Sequence, residues 1–349
     1  MKILIYSDPH IGLRRKANTT IKSSLALQEA MVSAAEKAVS LAKENGCQLS
    51  ICAGDLFDTF SNSEHVIYTA MPAVSETSVI LAGNHDIENR SASLGSLQFL
   101  SHLYGEQKKF VVNSINDPEP SHLEIPGVDI FLVPHSPTQE LFEASIREAK
   151  EAADKCSGRR LLITHCNYQM GFTSAQESTL NLSKDQTESL LGSFHHIFLG
   201  HEHTPAEHYD GRVVIVGNTH PTGFSDISDK RAIIYEDGNV TSLPLWKKEE
   251  GYFSGPATEA DNQPESVKFF DLEDDLQTGK ISALISGLYK KGAYAVRVRG
   301  KGEEAFSYDQ DREKISLASI PETISQRLKK EDPELHSIWE ELLNAYHQS

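Results

Sequence analysis

Six apolar runs in the chain end in the same manner. KILIYS (2–7) leads into Asp8, Pro9 and His10, and LSICA (49–53) into Gly54, Asp55 and then Asp58. VILA (79–82) leads into Gly83, Asn84, His85 and Asp86, and RLLIT (160–164) into His165. HIFL (196–199) is followed by Gly200, His201, Glu202 and His203, and VVIV (213–216) by Gly217, Asn218, Thr219 and His220. A run such as Val79-Ile80-Leu81-Ala82 has no polar alternation, so it reads as a strand buried on both faces, the habit of parallel sheets. Ligands of open α/β sheets bind beyond the carboxyl ends of the strands. One polar turn there is ordinary, because Asn and Asp are turn formers. Six in sequence predict that the polar ends converge on one edge as a site.

Between these runs the spacing changes to that of helices. Leu27, Met31, Ala34, Ala35, Ala38, Leu41 and Ala42 share one face of a helix predicted over 24–45, with Gly46 as its stop. Shorter helices are predicted over 64–71 and 94–104, and another over 138–155 with Glu–Lys pairs at i,i+4. FVVNS (110–114), SHLEIPG (121–127) and VDIFLVP (128–134) read as strands that open a second sheet; RAIIYEDG (231–238) and VTSLPL (240–245) read as a closing hairpin. Residues 251–265, rich in Gly, Pro, Ser and Asn, read as a linker. Beyond them VKFFDL (267–272) and AYAVRVRG (293–300) are predicted strands around a helix at 279–289, and Trp339 lies on the apolar face of a last helix, 331–347. That helix is either a terminal core helix or a docking face. The expected organisation is a catalytic domain over 1–250, a linker over 251–265 and a small αβ domain with C-terminal partner-binding helices over 266–349.

The chain's 349 residues suit about two domains. No stretch approaches the roughly 20 apolar residues of a membrane span, and the first apolar run is too short for a signal peptide. The cysteines Cys47, Cys52, Cys156 and Cys166 have no CxxC spacing, so buried free thiols in a cytoplasmic protein are expected. Net charge is −17, from 33 basic and 50 acidic residues, with no basic tail. That balance disfavours tight nucleic-acid binding, which rests on Lys and Arg against phosphates.

The polar strand ends carry the chemistry. Alternate residues of a strand share a face, so Asp8 and His10 are expected to reach one point and His201 and His203 another. With Asp55, Asn84 and His165 they make seven oxygen and nitrogen donors. One tetrahedral zinc takes about four, so seven fit two metal ions that share Asp55. Oxygen and imidazole donors without thiolate suit manganese, iron or zinc rather than copper. Two ions about 3.5–4 Å apart serve phosphoester hydrolysis by clamping the phosphoryl group and activating water. The leaving oxygen then needs a proton, which His85 is placed to give, with Asp86 beside it to orient the ring.

The ordered motifs D-x-H, G-D-x-x-D, G-N-H-D, a lone His after a strand, and G-H-x-H resemble those of the calcineurin-like metallophosphoesterases, over about residues 1–250. The resemblance implies a four-layer α/β/β/α sandwich. It implies one metal on Asp8, His10, Asp55 and His203, a second on Asp55, Asn84, His165 and His201, and His85 as the acid. Within that superfamily the opening M-K-I-L, D-P-H-I-G, the A-G-D-L-F-D context and the C-terminal αβ unit resemble the SbcD-type DNA nuclease subunit, including versions carried by large phages. This implies a small αβ capping domain, Mn(2+), exonuclease and endonuclease activity on DNA in repair or recombination, and an SbcC-type coiled-coil ATPase partner. It also implies a homodimer within a heterotetramer. The loop N-T-H-P-T-G-F (218–224) departs from the family's usual turn.

Arg14, Arg15 and Lys16, close after D-P-H-I-G, are candidate phosphate contacts, and His135 and His220 candidate walls of the substrate cleft. Two further functions stand beside the nuclease. One is a phosphodiesterase or phosphatase for a small molecule or phosphoprotein; the other is a non-catalytic scaffold, which would be expected to lack ligands or the acid.

Overall fold

The computed structural model describes residues 1–15, 17–87, 95–105, 109–111, 120–169, 180–274, 280–299 and 305–306. The chain divides into two compact units, Met1–Arg14 with Leu25–Glu250, and Arg15–Ser24 with Gly251–Ser349. The division falls inside the basic loop, so Arg14 and Arg15 belong to different units.

The first unit begins as alternating strands and helices: β1 (Lys2–Tyr6), α1 (Ile21–Glu44), β2 (Leu49–Cys52), α2 (Glu64–Glu76), β3 (Val79–Leu81), α3 (Ser96–Tyr104) and β4 (Lys109–Val111). Next come β5 (Ser121–Ile125), β6 (Val128–Val133), α4 (Gln139–Ala153), β7 (Arg159–His165), β8 (Asn167–Tyr168) and β9 (Asn181–Leu182). It closes with α5 (Lys184–Leu190), β10 (His196–Gly200), β11 (Ala206–His208), β12 (Val213–Ile215), β13 (Lys230–Glu236), β14 (Asn239–Trp246) and α6 (Lys248–Gly251). One six-stranded sheet has the order β14-β13-β1-β2-β3-β4 and the other β11-β12-β10-β7-β6-β5, with a small β8-β9 pair beside them. β1, β2, β3 and β4 are parallel, as are β6, β7, β10 and β12.

The two sheets face each other. Ile3, Ile5, Ile51 and Leu81 of the first meet Ile130, Leu161, Ile163, Phe198 and Val214 of the second in one buried cluster. The alternate residues Leu4, Tyr6 and Cys52 pack outward under α1, α2 and α3. Phe131, Leu162 and Leu199 pack outward in the same way under α4 and α5. Both faces of each central strand are covered, which is why those runs lack alternation. The result is a four-layer α/β/β/α sandwich.

Several expectations shift. FVVNS does not open the second sheet: β4 is the parallel edge of the first, on β3, and the residues after Val111 in that run lie outside the described ones. α2 does not stop before Pro72 but runs through it to Glu76, capped at its start by the Ser63 hydroxyl. The proline removes one helical donor only, and the face carrying Val66, Ala70, Ala73 and Val74 is buried, which outweighs that loss.

In the second unit, β15 (Tyr252–Pro256), β16 (Phe269–Glu273), α7 (Lys280–Lys290), β17 (Ala295–Arg299) and β18 (Ala305–Phe306) form a four-stranded sheet with one helix. Phe270, Leu272, Val296 and Val298 bury one face against Ile281, Ile285 and Leu288 of α7. On the other face Asp271, fully buried, pairs with Arg297 and Arg299 and accepts the Tyr252 hydroxyl at 3.0 Å. The reading of 251–265 as a linker is therefore corrected. β15 is a parallel edge strand on β16, and the 3₁₀ turn Ala257–Asn262 puts Ala257 and Ala260 into the core. Strand pairing runs through the backbone, so this stretch needs no apolar run. The helix expected over 331–347 lies outside the described residues. Among the described residues no helix is long and apolar enough to cross a membrane.

Candidate metal and catalytic centre

The carboxyl ends of both sheets meet at one edge. A bridge joins Ser7, after β1, to Asn218, after β12. The main-chain N–H of Asp8 donates to Gly54 O at 3.0 Å, that of His10 to Asp55 O at 3.1 Å, and that of His135 to Ala82 O at 3.0 Å.

The loops here are left-handed. Asp8 (φ 53°), His10 (46°), Asp55 (48°) and His201 (89°) all have positive φ, a conformation that costs a non-glycine residue about 1–3 kcal/mol. This corrects the strand-alternation argument. Asp8 with His10, and His201 with His203, lie past the ends of β1 and β10, and turn geometry rather than the pleat aims them. The strain is held by bonds such as His201 N–H to Asp8 Oδ2 at 3.0 Å. The glycines in front of the polar ends make room: a Cβ on Gly54 would strike the His165 ring, one on Gly83 the Asp55 carboxylate, and one on Gly200 Ala53 O and Ser7 Oγ.

All seven candidate ligands gather. The donor atoms of Asp8, His10 and His203 lie within 4.8 Å of one another, as do those of Asp55, His165 and His201. Asp55 Oδ2 stands between the groups, 3.4 Å from His165 Nε2 and 3.7 Å from His10 Nε2. Asn84 Oδ1 lies 2.8 Å from His201 Nδ1 and 3.1 Å from His165 Nε2. His85 Nε2 is 4.0 Å from Asp55 Oδ2, and its side chain is 41 % exposed against 28 % for His203 and 3 % for His10, so it is the more open of these rings to an incoming molecule.

Four of the imidazoles are braced from behind. His165 Nδ1 donates to Ala53 O at 2.9 Å, and His85 Nδ1 donates to Asp58 O at 2.6 Å. A carbonyl can only accept, so Nδ1 carries a proton in each of these two rings and Nε2 faces the site, free to bind a metal at His165 or to carry a second proton at His85. His10 Nδ1 is 3.3 Å from Asp58 Oδ1, and His203 Nδ1 is 3.2 Å from Asp226 Oδ2.

A profile of the calcineurin-like phosphoesterases matches residues 1–205. The chain belongs to the calcineurin-like phosphoesterase family. Among solved structures, a dimetal phosphatase from Danio rerio is 12 % identical with a TM-score of 0.45, covering 71 % of this chain and 97 % of its own. A Thermus thermophilus protein is 11 % identical with a TM-score of 0.43, over 70 % and 99 % of the two chains. The E. coli phosphoesterase Yfce is 14 % identical with a TM-score of 0.33, over 70 % and 93 %. No curated protein matches the sequence.

Membership in this family of phosphoesterases implies two divalent metal ions, and the residues fit them. His10 Nε2 and His203 Nε2 face each other at 3.0 Å, an arrangement in which two imidazoles share at most one proton unless a cation lies against them. Burial alone would depress His10; contact with Asp58 and the charges of Asp55 and Asp8 override it and raise it to about 9. His165 is raised to about 9 against its burial, by Asp55 and then Asp8. Asp55 is held well below the carboxylate range, because the His165 charge outweighs burial. His201 is pushed down to about 4 by burial, then by His165. The carboxylates thus call for positive charge at this edge, which a pair of divalent ions supplies.

Other candidates fall elsewhere. Asp86 does not orient His85. Its carboxylate accepts Leu56 N–H at 3.1 Å, Phe57 N–H at 3.0 Å and Gly83 N–H at 3.0 Å, so it ties the loop after β3 to the loop after β2. The turn at 84–86 sends neighbours in sequence in different directions; Asp58 O braces His85 instead. His135 is buried with its ring 6.4 Å from that of His165, and burial pushes it down to about 3. His220 is buried and donates from Nδ1 to Pro221 O at 2.9 Å. Neither is presented to a substrate cleft. Arg14 is exposed, Arg15 half-buried, and Lys16 lies outside the described residues.

Two residues that sequence reasoning missed lie just after the departing loop 218–224. Asp226 accepts Asn218 Nδ2–H at 2.8 Å, the Thr222 hydroxyl at 3.0 Å and Gly223 N–H at 3.1 Å, and it orients His203. Lys230, fully buried, donates to His203 O at 3.0 Å. Asp226→Asn is expected to weaken manganese binding about 10–100-fold, the usual cost of losing a group behind a ligand. Titration with Mn(2+) followed by electron paramagnetic resonance checks it; unchanged affinity would remove Asp226 from this role.

Proposed function

We propose that this chain is a two-metal DNA nuclease, with exonuclease and endonuclease activity, working with an SbcC-type coiled-coil ATPase in the cytoplasm. The observation that carries the hydrolytic part is the gathering of six oxygen and nitrogen donors around Asp55, with His85 beside them, its side chain 41 % exposed. Asp8, His10, Asp55 and His203 would hold one ion, and Asp55, Asn84, His165 and His201 the other. A donor set without thiolate suits Mn(2+). Such ions, when bound, polarise the phosphoryl oxygens and make water a stronger nucleophile near neutral pH.

The chain's own residues do the rest. His85 lends its Nε2 proton to the leaving oxygen and regains one from solvent, while Asp58 O keeps the opposite nitrogen protonated. Asp86 fixes the loop that carries Asn84 and His85. The carboxylates of Asp58 and Asp226 keep His10 and His203 turned inward.

The nuclease reading is supported by the D-P-H-I-G and A-G-D-L-F-D contexts and by a second αβ unit after residue 250, read as a capping domain. Exposed apolar side chains on α2 and α3 (Tyr68 at 76 %, Phe99 at 47 %, Leu103 at 58 %) support a homodimer. The net charge of −17 favours a second reading, hydrolysis of small phosphodiesters or phosphomonoesters. The nuclease reading answers it with a metal-lined track and a partner. It predicts that the isolated chain binds DNA weakly and that binding falls steeply with salt. Fluorescence anisotropy measures this; nanomolar binding at high salt would contradict it. The deciding assay compares linear DNA with bis-p-nitrophenyl phosphate in manganese, with and without the co-purified ATPase. Cleavage of the small ester and never of DNA selects the second reading, and activity on neither selects a scaffold.

A further inference from the structure

A second group of metal-binding side chains stands away from the catalytic edge, near the amino end of β7. His122 on the edge strand β5, Asp129 on β6 and Cys156 in the turn between α4 and β7 bring one donor atom each within 4.8 Å of the others. His122 Nε2 is 3.0 Å from Asp129 Oδ1. The His122 ring is fixed by stacking on Phe131, with centroids 4.4 Å apart and planes 5° from parallel. Asp129 is buried, whereas His122 keeps one side open to solvent. Gly158 keeps the space over the carboxylate clear, because a Cβ there would come within 2.9 Å of Asp129 Oδ2. Glu124 sits opposite Asp129 in the β5–β6 ladder and adds a second carboxylate. The thiol contacts Ala152 O at 3.5 Å and the Asp129 side chain.

We propose that His122, Asp129 and Cys156 form a zinc site, separate from the catalytic pair, with Glu124 or water as the fourth ligand. The donor chemistry differs from that of the catalytic edge. One nitrogen, one oxygen and one sulfur in a small, half-open cluster match the tetrahedral habit of zinc, whereas the catalytic set holds no sulfur. Burial and the Asp129 carboxylate raise the Cys156 thiol; a divalent cation would offset both and bind the thiolate in place of its proton. Bound there, zinc would tie the edge strand β5 to β6 and to the start of β7.

The sulfur makes the test specific. Co(2+) added to the full chain is expected to give a near-ultraviolet thiolate-to-cobalt charge-transfer band that saturates with added cobalt and is removed by Zn(2+). Cys156→Ser abolishes the band and His122→Ala weakens cobalt binding by at least about tenfold, while Cys47→Ser leaves both unchanged. Zn(2+) raises the melting temperature of the manganese-loaded wild type and not that of Cys156→Ser. Manganese-dependent phosphoesterase activity is the same in wild type and Cys156→Ser. No charge-transfer band in the folded wild type, or a band that survives Cys156→Ser, overturns the proposal.

Discussion

Replacing Asp55 with asparagine is expected to lower manganese-dependent phosphodiester hydrolysis by about 10³-fold or more, which corresponds to about 4 kcal/mol of transition-state stabilisation. Asp55 Oδ2 is the atom nearest to both donor groups, at 3.4 Å from His165 Nε2 and 3.7 Å from His10 Nε2. Its other oxygen accepts His85 N–H at 2.9 Å, a bond that the asparagine carbonyl can keep. The substitution therefore removes the shared negative charge and spares the loop. Bound manganese is expected to fall below two per chain in the same preparation, with the circular dichroism spectrum unchanged. A variant with two manganese ions and a tenth of wild-type activity would show that the carboxylate is not shared.

His85→Ala is expected to act on chemistry and not on metal content. A lost general acid costs about 10²–10⁴-fold, and His85 belongs to neither proposed ligand set. The loss depends on the leaving group. An alkoxide such as a deoxyribose oxygen needs a proton to depart, whereas p-nitrophenoxide leaves well without one. DNA cleavage, or hydrolysis of an alkyl phosphodiester, is expected to fall by the full factor, and bis-p-nitrophenyl phosphate hydrolysis by much less. Equal losses on both substrates together with fewer bound ions would make His85 a ligand rather than an acid.

The layers of the fold were legible because buried parallel strands leave a plain mark: KILIY, LSIC and VIL show no regular alternation of apolar and polar residues, and covered faces on both sides explain why. The clustering at the strand ends was legible for the same reason, since parallel strands that share a direction put their ends on one edge. What the linear chain hides is where a side chain turns. Asp86 sits next to His85 in sequence, yet it binds three main-chain N–H groups instead. Asp226, in a turn with no recognisable motif, and Lys230, the first residue of β13, brace His203. Their positions follow from the packing of β12 and β13 against β10 and β1, which no local pattern encodes. The strained φ values at Asp8, His10, Asp55 and His201 were foreshadowed only by glycines in front of Asp55, Asn84 and His201. β15 was hidden because an edge strand held by backbone bonds can be written in Gly, Ser and Pro.

Anomalous diffraction from crystals of the manganese-loaded chain tests the central claim most directly. Two manganese peaks about 3.5–4 Å apart, with an Asp55 oxygen touching both and Asp8, His10, His203 on one side and Asn84, His165, His201 on the other, are the expected result. A single peak, or two peaks that do not share Asp55, would contradict the account.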